Sequence, residues 1–183
     1  RDEEMLQLPK YLSALDEIGV DALILADLGV LMLAKRYAPH CEIHISTQTS
    51  IVNAQAATAY HELGASRVVL ARELTLEQIA YIRKNTPKDL ELEAFVHGAM
   101  CMAYSGRCML SQYLAGRDAN RGNCAQPCRW NYHLVEMKRP NEFFQVVEDE
   151  KGTAILSSHD MCAVGFLDKL EEAGICSYKI EGR

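Results

Sequence analysis

Four apolar segments of strand length begin near residues 20, 42, 67 and 90, at intervals of 22, 25 and 23. They cover 20–26, 42–47, 67–71 and 90–96. Helical stretches separate them: 28–38, then 53–63 stopped by Gly64, then one opened by Thr75-x-x-Gln78, a capping-box spacing. Strand, helix and short loop at this period mean βαβ units and a parallel sheet. A doubly wound sheet usually carries a Gly-rich phosphate loop after its first strand, and neither G-x-G-x-x-G nor a Walker loop occurs here. The even period therefore predicts an α/β fold of parallel (β/α) barrel type. A complete barrel needs eight strands and roughly 250 residues, whereas 183 residues supply five or six strands. The expected barrel is incomplete. An opening Arg1-Asp2-Glu3-Glu4 without Met and a strand-like ending at Lys179-Ile180 lead to the same expectation, a piece of a longer protein.

The period breaks after Val96. We divide the chain into βα repeats over 1–96, an irregular insertion rich in Cys and Arg over 97–140, and a closing part over 141–183. The insertion is expected to hold a short helix at 109–114. The closing part is expected to hold a hairpin pairing 143–148 with 153–156, a helix over 160–173 ended by Gly174, and a strand over 177–180.

Chemistry in a barrel sits at the carboxyl ends of its strands. Those ends read Asp27, Ser46-Thr47-Gln48, Arg72-Glu73, His97-Gly98, Ser157-Ser158-His159-Asp160 and Glu181-Gly182-Arg183. Arg72, Glu73, His97 and Glu181 follow apolar strands most closely and are the candidate catalytic residues. Gln48 is a candidate for substrate binding.

Seven cysteines is an odd number for a disulfide scaffold, and the apolar fraction of 49% can build a core without one. Cys41 and Cys176 lie beside strands and read as small buried hydrophobes. Cys101, Cys108, Cys124 and Cys128 form C-x6-C-x15-C-x3-C inside the insertion, where no core requires them. Four thiolates in a reducing compartment suit an iron–sulfur cluster or zinc. Zinc sites usually show two tight knuckles, and one tight pair tilts the reading toward iron–sulfur. Four unligated thiols is the plain alternative, and Cys162 is an alternative fourth ligand.

Net charge is −6, a poor start for a nucleic-acid binder. Yet residues 96–133 carry Arg107, Arg117, Arg121 and Arg129 against Asp118 alone, a local +3 on an acidic body. The arginines can balance a cluster's negative charge or hold an anionic substrate. Trp130 and Tyr132 beside Arg129 can stack on an exposed base, or simply pack the insertion onto the barrel. No apolar run approaches the ~20 residues of a membrane-spanning helix, so no membrane partner is expected.

Residues 93–111, from Glu93-Ala94-Phe95-Val96-His97-Gly98 through Cys101 to Arg107-Cys108-Met109-Leu110-Ser111, resemble the signature of the U32 peptidase family, the collagenase-like proteases. Arg121-Gly122-Asn123-Cys124-Ala125-Gln126-Pro127-Cys128-Arg129-Trp130 continues the likeness, and Lys179-Ile180-Glu181-Gly182-Arg183 is similar to the motif that closes the family's core. The resemblance implies more than the family's name. Members include oxygen-independent hydroxylases of a tRNA uridine, an rRNA cytidine or ubiquinone precursors. The RNA-modifying ones are linked to prephenate as hydroxyl donor and to an iron–sulfur cluster.

Carried onto this chain, the likeness implies Cys101, Cys108 and Cys124 as ligands of a four-iron four-sulfur cluster, with Cys128 or Cys162 the fourth. The Cys124-x3-Cys128 pair points to the RNA-hydroxylating branch. The expected partners are RNA and a small anionic metabolite, and the expected place is the cytoplasm. His97 and Glu181 would move protons, and Arg107 or Arg129 would clamp carboxylates. A peptidase is the competing expectation and would need Cys101 and His97 within hydrogen-bond reach, since H-E-x-x-H and G-x-S-x-G are both absent. A binding module built on structural zinc is the third.

Overall fold

The computed structural model describes residues 2–101, 103–104, 107–130, 133–135, 137–138, 140–141, 143–145 and 160–181. Two helices, α1 (Asp2–Met5) and α2 (Leu8–Ile18), precede the first strand. Then come β1 (Ala22–Leu25), α3 (Leu28–Tyr37), β2 (Glu42–Ile45), α4 (Ala54–Glu62), β3 (Arg67–Val69), α5 (Leu76–Lys84) and β4 (Glu91–Gly98). These are the βα units that the spacing predicts. Their starts are set by local chemistry. The Asp27 carboxylate accepts from Val30 N at 2.9 Å, and the Asn53 side chain accepts from Ala56 N at 2.8 Å. Thr75 and Gln78 complete the capping box in both directions. Thr75→Ala is expected to cost about 1 kcal/mol, read as a shift of the urea midpoint.

Strands β1 to β4 pair in parallel and in sequence order, with Leu23 beside Ile43, Ile45 beside Val68 and Val68 beside Leu92. The closing strand β8 (Ser177–Ile180) pairs in parallel with β4, with Glu93 beside Ser177. β4 thus has a parallel partner on each side, and its residues 92–96 are buried in succession, as parallel strands covered on both faces require. The core centres on Leu31, Ile45, Val68, Leu70, Ile82 and Leu92.

The last third departs from expectation in three ways. Residues 143–145 form β6 (Phe143–Gln145), which pairs antiparallel with β5 (His133–Val135), a partner not expected; the expected partner, 153–156, lies outside the described residues. The turn chemistry at Pro140-Asn141 closes that hairpin as well as the later Asp-Glu-Lys-Gly run could; residues 146–159 lie outside the described residues. Second, the expected helix over 160–173 is divided. β7 (Met161–Cys162) runs antiparallel to the end of β4, with His97 beside Cys162, and only α7 (Leu167–Glu172) is α-helical. Third, Cys176 is exposed rather than buried, while Cys41 is buried as expected.

Glu93 is the one acidic side chain buried in β4, 8% exposed. It accepts from Lys179 Nζ at 2.9 Å and Ser177 Oγ at 2.9 Å, with Arg67 at 3.4 Å. Burial pushes its carboxyl up, but Lys179, Ser177 and Arg67 outweigh burial and hold it below its ordinary 4.5. A carboxylate held low contributes stability above its unfolded pKa and loses it as pH falls through the folded value. The urea midpoint is therefore expected to drop on acidification below about pH 4.5. Glu93→Gln should be weaker at neutral pH and flatter over the same acid range.

Candidate functional site

The carboxyl ends of β2, β3, β4 and β8 meet the cysteine-rich insertion around one cavity of about 250 Å³. Each wall has a local cause. After β2, Ser46 caps a 3₁₀ turn over Thr47–Thr49 and so turns Gln48 into the cavity. After β3, the chain delivers Arg72. After β8 it delivers Glu181, and Lys179 lines the same space while anchored to Glu93.

Arg72 is the best-defined group of the site. Its side chain is 8% exposed and pairs with Glu181 at 2.5 Å. One guanidinium nitrogen donates to the Ala99 carbonyl and faces Cys101 Sγ at 4.0 Å. The guanidinium carbon stands 3.8 Å over the Phe95 ring, a cation–π contact inside the barrel mouth. Its Nε is buried with no hydrogen-bond partner among the described residues, an unmet donor of the kind that a ligand would satisfy. Gly98 makes the Arg72–Glu181 contact possible. Its φ is +132°, and a Cβ there would lie 2.7 Å from the Glu181 carbonyl oxygen.

The insertion forms the opposite wall. Cys101, Cys108, Cys124 and Cys128 all line the cavity. Their loops are stitched together by hydrogen bonds between side chains and backbone. Asn120 Nδ2 donates to the Cys108 carbonyl at 2.9 Å, and the fully buried Ser111 Oγ of α6 (Leu110–Ala115) accepts from Ala125 N at 2.9 Å. The Gln126 amide donates to Cys124 Sγ at 3.3 Å. Burial pushes the Cys128 thiol up and the nearby Cys124 adds to it, against the opposing pull of Arg129. Arg129 also lines the cavity and pairs with Asp160, whose carboxyl it holds below the ordinary value. Among the described residues no three His, Cys, Asp or Glu side chains are grouped so as to hold a metal ion.

Of the residues singled out from sequence, Arg72, Glu181, Gln48, Arg129 and the four cysteines share this cavity. Glu73, His97 and Cys162 are exposed and do not line it. Arg107 lines a separate hollow on the other side of Cys108. Lys179, Phe95 and Asn120 are wall residues that sequence reasoning left without a role. Lys179 stood inside a quoted motif, and its alternation with Ile180 was the available signal. Among the described residues no cysteine thiol hydrogen-bonds a histidine, and no helix is long and apolar enough to cross a membrane. Trp130 is about half exposed and does not line the cavity, and Tyr132 lies outside the described residues.

Comparison with known proteins adds three findings. The pattern of Peptidase family U32 matches residues 1–183. The tRNA hydroxylation protein P of Escherichia coli (strain K12) is 39% identical over 91% of this chain and 45% of its own length. A 23S rRNA 5-hydroxycytidine synthase of the same organism is 41% identical over 100% of this chain and 26% of its own length. The chain therefore spans less than half of either relative. A solved structure described as a U32 peptidase covers the whole chain with a TM-score of 0.53 at 18% identity, and supports the fold.

Proposed function

We propose, from the premise that the chain belongs to peptidase family U32, that its cavity is the reaction site of an oxygen-independent RNA hydroxylase. The four cysteines would hold an iron–sulfur cluster there, and the cationic wall would bind a small carboxylated hydroxyl donor of the prephenate kind. The observation that carries the reading is the convergence of four thiols with Arg72, Arg129 and Lys179 on one space. The relatives' names supply the reaction class, since one is named for tRNA hydroxylation and another for hydroxycytidine in rRNA. The cytoplasm is where such a substrate meets reduced thiols.

The donor chemistry supports such a cluster, since four thiols line one cavity, although no three of them are grouped to hold an ion as they stand among the described residues. Four thiolates make a negative site, and Arg72 beside Cys101 and Arg129 beside Cys128 offset that charge. When bound, the cluster supplies one-electron redox chemistry and a site that can engage an oxygen donor. The chain's own residues do the rest. Replacing C–H by C–OH removes two electrons from the base carbon, so a donor that gives up its hydroxyl must accept them and a hydrogen. Arg72 Nε and Lys179 Nζ would clamp the donor's carboxylates, and Gln48 would orient it by hydrogen bonding. Glu181, held by Arg72, is placed to carry a proton at its carboxylate.

The direct test is mass spectrometry of RNA nucleosides from cells that lack the protein, complemented with wild type or Cys108→Ser. Hydroxylated pyrimidine restored by wild type alone supports the proposal. Restoration by both would sink it. A peptidase reading has the family name behind it but no thiol–imidazole pair among the described residues.

A further inference from the structure

A second surface lies on the far side of Cys108. It is an open hollow of about 520 Å³, walled by Arg107, Met109, Gln112 and Tyr113. Helix α6 creates it. Ser111 points inward and is fully buried, so Met109 and Tyr113, four residues apart, share the outward face. Met109 is 67% exposed and Tyr113 86%, while Tyr104, 65% exposed, lines the four-cysteine cavity across the rim. Clusters of large exposed apolar side chains mark surfaces made to meet something.

Charge decides what that is. Arg107 lines the hollow, is exposed and has no carboxylate partner among the described residues. Arg121 and Arg129, by contrast, are paired with Glu4 and Asp160. The surface thus offers an aromatic face beside an unneutralised guanidinium group on a chain whose total charge is −6. Aromatic faces stack on bases, and guanidinium groups take phosphates or stack as well. A duplex hides its base faces, so the fitting ligand is single-stranded RNA. Position supports the match: Cys108 and Leu110 line both this hollow and the four-cysteine cavity, so one thin wall separates them.

We propose that Met109, Tyr113 and Arg107 form a stacking platform for unpaired nucleotides that flank the target base, with Tyr104 receiving the next base on the cavity side of the rim. This rests on the RNA reading above and names where the RNA lies. Arg107 holds the backbone, the tyrosines hold neighbouring base faces, and the target base reaches over the Cys108–Leu110 rim.

The test uses the complete protein with two RNA probes, a hairpin with an unpaired loop and a blunt duplex of matched composition. Affinity is read by fluorescence anisotropy at fixed salt. Tyr104→Ala/Tyr113→Ala should weaken hairpin binding by about tenfold or more and leave duplex binding unchanged. Tyr113→Trp should retain it. Arg107→Gln should weaken both probes and reduce the salt slope by about one ion. Hairpin affinity in the double tyrosine variant within about twofold of wild type, with an unchanged circular dichroism spectrum, overturns the platform. Nucleoside analysis of the same preparations separates the two ideas. Hydroxylation with unaltered hairpin affinity removes the platform and keeps the reaction. Tyrosine-dependent hairpin binding without hydroxylation by wild type removes the reaction and keeps the platform.

Discussion

Replacing Arg72 by Met is expected to lower RNA hydroxylation by about 100-fold or more, the usual loss when a preorganised cationic donor is removed from a reaction site. The variant is also expected to lose about 2–3 kcal/mol of stability. Breaking a buried pair from one side costs ~3–5 kcal/mol, and Glu181, 25% exposed, keeps some water and lowers the figure. Arg72→Lys should not rescue the reaction. A lysine ammonium cannot reach Glu181 and the Ala99 carbonyl at once while stacking over Phe95. A double variant, Arg72→Met with Glu181→Gln, should be more stable than Arg72→Met alone because it removes the stranded carboxylate. Urea midpoints of the three variants check this. Equal midpoints for Arg72→Met and wild type would mean the ion pair contributes nothing.

Gly98→Ala is the second large effect, expected at about 2–4 kcal/mol. Two causes act together. A φ of +132° is strained for any residue with a Cβ, and that Cβ would lie 2.7 Å from the Glu181 carbonyl and 2.9 Å from its Cβ. Both contacts are backbone or its first carbon, so no side-chain rotation relieves them. The closing strand must move away from β4 and take Glu181 with it, loosening Arg72. Activity should therefore fall with stability, whereas Gly116→Ala, where a Cβ meets open space at φ +65°, should lose a smaller share of stability and little activity. Thermal melts with parallel nucleoside assays separate the two.

The period of 22–25 residues reports the sheet because parallel strands buried on both faces are short continuous apolar runs, and a 3.6-residue helix pattern separates them. That signal survives without any knowledge of partners. β7 carries no such signal. Two residues have no period, and the apolar residues of 160–173 blend with those of the helix that follows, so Cys162 was placed on a helix. The pairing of 133–135 with 143–145 carries little signal because each strand is three residues long.

The cysteine pocket was legible because four thiols in an irregular segment need a reason. Which strand-end residues face it was less so. His97 and Glu73 adjoin their strands as closely as Arg72 does, yet a register shift in β4 between Phe95 and His97 and the turn after β3 leave them exposed outside the cavity. Arg107 precedes Cys108 by one residue and faces the opposite hollow. One position along an extended chain reverses the side a residue serves.

The central claim is that four cysteines of the insertion hold an iron–sulfur cluster at the barrel mouth. The most direct measurement is iron, acid-labile sulfide and zinc in protein purified without oxygen, wild type beside Cys108→Ser. The account predicts about four irons and four sulfides per chain, with visible absorbance lost in the variant. One zinc with no iron or sulfide, or a variant that keeps its full iron, would contradict it.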